Sequence, residues 1–299
     1  MNIALIILAA GKGTRMQSEL PKVLHEVAGA PMLVHAMRAG RALDPKRTII
    51  IAGHGFEAVS AAARAEDPEV EVVRQEAQLG TGHAVDQARA ALSDFDGTVI
   101  VLYGDCPLIQ SRTLKELSAT LSDSAVSVLG FEAKDPARYG RLITDGDKLK
   151  RIVEFKDASP AERAVSLCNS GVMAASAGLL FDLLSEIDAN NASGELYLTD
   201  VIGKAVARGM PCTAVRCAER ETLGVNSRVE LMQAEKEFQN LRRTEALEDG
   251  ITMPAPETVH FSYDTVIGRD TIIEQNVVFG PGVTVESGAQ IRAFSHLEG

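Results

Sequence analysis

The hydrophobic positions of the chain change their spacing twice along its length, and each change marks a different kind of structure. The chain opens with eight apolar residues in a row, Ile3 to Ala10. A run without polar alternation predicts a strand covered on both faces, and it is far shorter than the roughly 20 residues of a membrane span. Further β-rich runs follow, TIIIAG, EVEVV and TVIVLYGD, with amphipathic stretches near Met32 to Leu43, Phe56 to Ala65 and His83 to Leu92 between them. Strands alternating with helices predict an α/β architecture of βα units around a largely parallel sheet. Ligands of such sheets bind beyond the carboxyl ends of the strands, which is where GKGTRM and GDCP fall.

Beyond Ala125 the pattern loosens. AVSVLGFEA is strand-like, and RLITDGDKLKRIVEF reads as a hairpin turning at Asp145-Gly146, so this part is expected to form a lobe over the edge of the sheet. LCNSGVMAA and PCTAVRC are further strand candidates, separated by helical sequence around Gly178 to Ile187 and Thr199 to Arg208. Ser227 to Glu248 is charged, lacks Gly and Pro and is rich in helix formers. At ~1.5 Å per residue it extends about 33 Å as a connecting helix. Asp249-Gly250 ends it, and Pro254 and Pro256 begin an extended segment.

The last stretch follows a different rule. Ile267, Ile273, Phe279, Val285, Ile291 and Leu297 recur every six residues, and the fifth position of each hexad is small or β-branched: Thr271, Val277, Val283, Ala289 and Ser295. That period predicts a parallel β-helix whose repeated aliphatic side chain points inward. The organisation expected is a first domain over 1–226, a linker helix over 227–250 and β-helix sequence over 251–299. With three hexads to a coil, Ile267 to Gly299 supplies fewer than two coils, whereas solenoids need about three repeats and a cap, so the chain is expected to be cut short here.

Charge narrows the possible partners. Acidic residues outnumber basic ones by 41 to 30, a formal net charge of −11, which argues against a general binder of nucleic acid or of anionic membranes. An anionic ligand would need a local positive pocket. The cysteines, Cys106, Cys168, Cys212 and Cys217, form no CxxC pair and the histidines no HExxH, so neither a disulfide framework nor a zinc site is suggested. With no basic residue before the first apolar run and no later run long enough to span a bilayer, a cytoplasmic protein is expected.

LAAGKGTRM supplies such a pocket. Gly11 and Gly13 let the backbone turn sharply and bring successive N–H groups close to a ligand. Lys12, Arg15 and Lys22 add three cations opposed only by Glu19, and screening over about 8 Å lets this near field outweigh the distant negative charge. A polyphosphate fits. The two standard nucleotide loops do not: Lys12 is followed by Gly13 instead of Ser or Thr, and Met16 occupies the last glycine position of GxGxxG. Standing alone, the loop could instead be a glycine turn with solvated cations. Asp105, at the end of TVIVLYGD, can hold a hard cation such as Mg²⁺ that keeps most of its ligands as water or phosphate, or it can serve as a turn acid.

LAAGKGTRMQSELPKVLHEVAGAPM resembles the signature of the sugar-nucleotide pyrophosphorylases, and QLGTGHA, LYGDCPL, YGRL, IVEFKDA, CNSGV, GELYLTD and GVNSR follow in order. Together they resemble the bifunctional N-acetylglucosamine-1-phosphate uridyltransferase/glucosamine-1-phosphate acetyltransferase family. The resemblance implies a Rossmann-like nucleotidyltransferase lobe with a mixed, mostly parallel sheet, then a helical arm and the start of a left-handed parallel β-helix. It implies uridylyl transfer from UTP to N-acetylglucosamine-1-phosphate, giving UDP-N-acetylglucosamine and pyrophosphate, for bacterial peptidoglycan and lipopolysaccharide synthesis. Full-length relatives trimerise through the β-helix, where the acetyl-transfer residues also lie. Those residues fall beyond Gly299, so this chain is expected to lack that activity.

Residue roles are carried over from the same resemblance. Arg15 would clamp the β- and γ-phosphates of UTP and Lys22 would neutralise the reacting phosphates, with Asp105 and Asn226 as ligands of Mg²⁺. The backbone of Leu8, Ala9, Ala10 and Gly11, with Gln75, Gly80 and Thr81, would receive the base. Tyr103 and Gly104 line the same crevice, and Gly140, Glu154 and Asn169 would receive the amino sugar, although Glu154 could instead pair with Lys156 or Arg151. Tyr197 and Thr199 could wall the same pocket, with Thr199 equally suited to cap a helix. Two other readings stay open: a sugar-phosphate nucleotidyltransferase using dTTP or another hexose phosphate, and a non-catalytic nucleotide-sugar sensor.

Overall fold

All seven residues of β1 (Ile3–Ala9) are buried, and they divide between two hydrophobic clusters on opposite faces of one sheet. Ala4, Ile6 and Leu8 join one cluster and Ile3, Leu5, Ile7 and Ala9 the other, which is why the strand shows no polar alternation. The computed structural model describes residues 2–146 and 148–299. After β1 come a short antiparallel pair, β2 (Glu26–Val27) and β3 (Ala30–Pro31), then α1 (Met32–Arg41), β4 (Arg47–Ala52), α2 (Phe56–Glu66), β5 (Glu71–Arg74), α3 (Thr81–Asp86), β6 (Thr98–Tyr103) and α4 (Ser111–Ala119). The chain continues through β7 (Val126–Glu132), β8 (Arg141–Asp145), β9 (Lys148–Val153), α5 (Pro160–Arg163), β10 (Leu167–Ser176), α6 (Ala177–Leu184), α7 (Asp200–Ala207), β11 (Cys212–Cys217) and α8 (Arg228–Glu248).

The main sheet has the order β5-β4-β1-β6-β10-β7-β11-β9-β8. β5, β4, β1 and β6 run parallel, β10 is antiparallel to both of its main neighbours, and β11 is parallel to β7. Helices α1, α2 and α4 cover one face through Leu33, Val59 and Leu117, and α3, α6 and α7 cover the other through Val85, Leu180 and Ile202. The segment after Ala125 is therefore not a separate lobe, because β7, β10 and β11 extend the same sheet and only the β8–β9 hairpin forms its far edge. Hydrophobic periodicity carries no information on strand order, and the return of β10 between β6 and β7 is a long-range event. In that hairpin Asp145 pairs with Lys148; part of the expected turn, Asp147, lies outside the described residues.

Two helices differ from expectation. α3 stops at Asp86, and the bonds Ala88 N–H to Val85 O and Arg89 N–H to Asp86 O tighten the chain into successive turns that still bury Ala88 and Leu92. α4 leaves only a weak periodic trace, since Leu114 and Leu117 are its sole large apolar residues and Thr113 and Ser118 share the buried face.

The hexad region forms paired strands: β12 (Val266–Ile267), β13 (Ile272–Ile273), β14 (Val278–Phe279), β15 (Thr284–Val285), β16 (Gln290–Ile291) and β17 (His296–Leu297). Val266 pairs with Thr284, Ile272 with Gln290 and Val278 with His296, all parallel, so three hexads close one coil. Asp270, Asn276, Gly282, Gly288 and Phe294 all have positive φ, one corner residue per hexad. Ile273, Phe279 and Val285 point into a core that also holds Ile251, Met253, Val259 and Phe261, with Phe261 stacked on Phe279 at 5.5 Å. α8 docks here through Gln239, only 3% exposed, whose amide donates to Phe261 O at 2.7 Å and accepts from Phe261 N–H at 2.9 Å. Among the described residues no helix is long and apolar enough to cross a membrane. Gln239→Ala leaves both backbone groups of Phe261 unpaired, and a destabilisation of about 2–4 kcal/mol is expected in chemical denaturation. A loss below about 0.5 kcal/mol would show that the amide does not hold the arm to the coil.

Candidate active site

Strands β1 and β6 are adjacent and parallel, so their carboxyl ends deliver two loops to one place. Leu8 pairs with Tyr103 across the strands, and Gly104 N–H donates to Leu8 O at 2.9 Å. Beyond β1 the chain turns at Gly13, whose φ of 60° lies in the left-handed region and where a Cβ would lie 2.6 Å from Lys22 Cβ. A glycine here is thus what lets Lys22 close over the loop. Met16 is buried with Val27, Met32, Val225 and Ala234, anchoring the loop between β2 and α8, so the residue that broke the dinucleotide pattern is a packing anchor.

A cavity of 320 Å³ opens at this point, lined by the backbone-rich segment Leu8, Ala9, Ala10 and Gly11 together with Lys22, Gln75, Gly80, Thr81, Tyr103 and Asp105. At its mouth the Lys22 ammonium sits between the Asp105 carboxylate, to which it is paired, and Asn226 Oδ1 at 2.9 Å. Asn226 Nδ2 donates to Gly224 O at 3.3 Å, which fixes the polarity of its amide with oxygen toward the cation. Two further bonds hold the asparagine in place: Val225 N–H donates to Asp105 O at 2.9 Å, and Asn226 N–H to Glu230 Oε2 at 2.7 Å. Glu230 lies in the first turn of α8, where Ser227 accepts from its N–H and caps the helix.

This arrangement also tests whether a divalent cation suits the site. Two hard oxygens from separate segments already converge on one positive centre, the ammonium, which is the donor chemistry Mg²⁺ prefers. Among the described residues no group of three or more His, Cys, Asp or Glu could hold a metal, so a cation here would take most of its ligands from water or phosphate. Neighbouring Cys106 is buried, and burial followed by the Asp105 charge pushes its thiol far up, which leaves it inert.

The second set of residues gathers where β8, β9 and β10 meet. Asn169 N–H donates to Gly140 O at 2.8 Å, and a Cβ on Gly140 would lie 3.3 Å from Glu154 Oε2. The register of β10 against β7 slips between Asn169 and Met173, and Asn169 Oδ1 accepts from Gly171 N–H at 3.0 Å within that bulge. Gly171, at φ 89°, meets the Tyr103 ring where a Cβ would approach to 2.5 Å, so the bulge packs directly on the wall of the first cavity. Glu154 pairs with neither Lys156 nor Arg151. It accepts from Thr199 Oγ1 at 3.1 Å, while Arg151 binds Glu162 and Lys156 binds Ser193. Thr199 stands at the N-cap of α7, yet its hydroxyl makes no capping bond. Burial, aided by Asp200 and Asp157, raises the Glu154 pKa against the opposing hydrogen bond from Thr199.

The structure does not bring all three loop cations together. Lys22 lines the cavity; Lys12 lines a neighbouring one with His54 and Arg74, and Arg15 is exposed on the one-turn helix Thr14–Met16. Sequence reasoning missed Gln78, whose Nε2 donates to Ala10 O at 2.7 Å, and Glu195, which reaches the cavity from the loop before α7. Gln78 stands three residues after Gln75 and next to LGTGHA, which was the available signal; Glu195 had none beyond its place in GELYLTD. His83, given no role from sequence, places Nδ1 3.0 Å from the Nε2 of the nearly buried Gln75.

Residues 5–181 match the MobA-like NTP transferase domain family, and residues 264–299 match the bacterial transferase hexapeptide family (six repeats). The bifunctional protein GlmU of Roseobacter denitrificans is 60% identical over 299 residues, covering all of this chain and 66% of that protein. GlmU of Ruegeria sp. is 62% identical over 299 residues, covering all of this chain and 67% of that protein. The chain thus spans about two thirds of the length of these curated relatives. A solved UDP-glucose pyrophosphorylase complexed with UDP-glucose superposes with a TM-score of 0.65 at 18% identity, covering 81% of this chain and 100% of that one. At that identity the likeness establishes the fold alone. The sheet, the loop beyond the carboxyl ends of β1 and β6 and the hexad coils that follow agree with these matches over the whole length, and the chain belongs to the MobA-like NTP transferase family, in its bifunctional GlmU group.

Proposed function

We infer that the chain is a Mg²⁺-dependent uridylyltransferase that joins UTP and N-acetylglucosamine-1-phosphate into UDP-N-acetylglucosamine and pyrophosphate. The observation that carries this reading is the convergence of Lys22, Asp105 and Asn226 at the mouth of a cavity walled by the Leu8–Gly11 backbone. In the reaction an oxygen of the sugar phosphate forms a bond to the α-phosphorus of UTP, the α–β bridging bond breaks, and pyrophosphate leaves with the electron pair. Negative charge spreads over the transferring group, so positioning and charge stabilisation carry the rate.

The Leu8–Gly11 backbone and Gln75 bind the uracil side, with Gly80 and Thr81 closing that end of the cavity. A glutamine amide can donate and accept, which suits a base edge bearing both N–H and C=O. Lys22 holds its charge beside the reacting phosphates, and Arg15, exposed on the loop, reaches the β- and γ-phosphates where they extend beyond the cavity. Asp105 and Asn226 would hold Mg²⁺, which when bound supplies charge neutralisation on the phosphates. Tyr103 and Gly104 separate the nucleotide from the sugar, and Gly140, Glu154 and Asn169 orient the amino sugar. The reaction belongs to residues 1–226 on this reading, with 227–250 as an arm and 251–299 as the beginning of the β-helix. The same reading places the enzyme in the cytoplasm and assigns trimer assembly to the β-helix of the whole protein.

Turnover measured as pyrophosphate release, across four nucleoside triphosphates and several sugar phosphates, tests the assignment; equal rates with dTTP and glucose-1-phosphate would defeat it. Lys22→Ala is expected to lower kcat by a factor of about 10²–10³ while the KM for UTP changes only a few-fold. A variant retaining half the wild-type kcat would remove Lys22 from the reaction.

Glu154→Gln separates function from stability. It should raise the KM for N-acetylglucosamine-1-phosphate without raising that for UTP. Because burial raises the Glu154 pKa in the fold, the acid form's contribution to stability is present below the ordinary carboxylate range and is lost as pH rises through the raised value. Thermal unfolding at acid and neutral pH should therefore show the glutamine variant gaining on the wild type as pH rises. A gap independent of pH would contradict this.

A further inference from the structure

Arg141 is 2% exposed and is the bulkiest of the fully buried side chains, yet among the described residues it makes no salt bridge. Its guanidinium donates only to main-chain oxygens. Nη1 bonds Tyr139 O, Nη2 bonds Ala137 O and Arg163 O, both at 3.2 Å, and Nε bonds Arg163 O at 3.3 Å. A buried cation without a counter-ion is costly, and an apolar side chain of similar volume would fill the space with less penalty. What the guanidinium alone supplies is a rigid fork of donors that can collect several carbonyls at once.

Those carbonyls belong to two segments that flank Gly140 and Glu154. Ala137 has a φ of 36°, an unfavourable left-handed conformation for a residue with a Cβ, and its carbonyl is one that Arg141 takes. Arg163 is the last residue of α5, where a carbonyl has no partner within the helix. The Arg163 side chain in turn donates from Nε to Phe155 O at 3.2 Å and lies 4.5 Å over the Phe155 ring, one residue from Glu154. Register completes the picture. Arg141 pairs with Cys168 on β10 and with Val153 on β9, so Gly140, Asn169 and Glu154 are the next residues along three neighbouring strands.

We propose that Arg141 is a positioning residue for the sugar-phosphate pocket, acting by gathering the carbonyls of Ala137, Tyr139 and Arg163 so that Gly140 and Glu154 are held at a fixed separation. It touches no substrate. The nucleotide cavity is walled by the ends of β1 and β6 and by Gln75, Gly80 and Thr81, and none of the residues whose carbonyls the fork collects lines it. The proposal rests on the reading of the Glu154 pocket as the site of N-acetylglucosamine-1-phosphate.

The test uses Arg141→Met, which removes the donors, and Arg141→Lys, which keeps the charge but cannot span three carbonyls. With Arg141→Met the KM for N-acetylglucosamine-1-phosphate should rise roughly ten- to hundredfold, the effect of displacing a binding group by about an ångström. The KM for UTP should stay within about twofold, with the lysine variant between wild type and methionine. Calorimetric binding of N-acetylglucosamine-1-phosphate and of UTP, measured separately, should show the same split without relying on turnover. Equal losses for both substrates, or none for either, would overturn the proposal; if the methionine variant does not fold, the lysine variant decides by the same criterion. Wild-type protein that binds the sugar phosphate but makes no product would refute the uridylyltransferase assignment and leave the split in binding to judge Arg141. Failure of wild type to bind the sugar phosphate would remove both.

Discussion

The contact on which the rest of the molecule depends is that of the Lys22 ammonium with Asp105 and Asn226, groups 83 and 204 residues away along the chain. Lysine and carboxylate are largely withdrawn from water, at 12% and 15% side-chain exposure, so their attraction must offset a desolvation penalty. It does so because every partner is held from behind: Lys22 by the close approach allowed at Gly13, Asp105 by the end of β6, and Asn226 by the capped first turn of α8. The contact therefore joins the glycine loop, the central strand pair and the arm into one site. It is also why Val225, next to Asn226, lies buried against Met16.

A second arrangement sets the geometry between the two pockets. Had the sheet remained parallel throughout, the segment bearing Asn169 would have required a crossover helix to reach the β6 edge. β10 instead returns antiparallel between β6 and β7 and bulges after Asn169, so the Tyr103 ring meets Gly171 across the bulge. Gly140, Glu154 and Asn169 are then brought together by hydrogen-bond register, because the start of β8, the end of β9 and the start of β10 lie side by side. Side chains placed by register move only if the strands do, and rigid elements hold a site more accurately than loops.

The coils at the far end obey a simpler rule. One residue per hexad takes a left-handed corner, and the repeated apolar position, joined by Val277 and Val283, fills the core. Phe294 occupies such a corner while remaining exposed, although glycine or asparagine is the easier choice there. The arm reaches this core through Gln239, a buried polar residue of α8 whose amide completes the backbone bonds of Phe261.

Features that repeat over short distances were readable from the linear chain. The βα alternation, the length of α8, the hexad period and the glycine-cation turn all arise from local sterics and from side-chain periodicity, and each appears in the fold where the pattern located it. Thr199 and Arg141 were not readable in this way. A threonine before a helix is indistinguishable by sequence from a capping residue, and only the packing of α7 against β9 turns its hydroxyl toward Glu154. Similarly, Lys12, Arg15 and Lys22 look equivalent as charges in a row, yet the close contact at Gly13 brings Lys22 alone to Asp105. Strand order, the bulge at Asn169 and the carbonyls gathered by Arg141 depend on pairings between residues far apart in the chain, and such pairings leave no periodic mark because loop closure is indifferent to the sequence it spans.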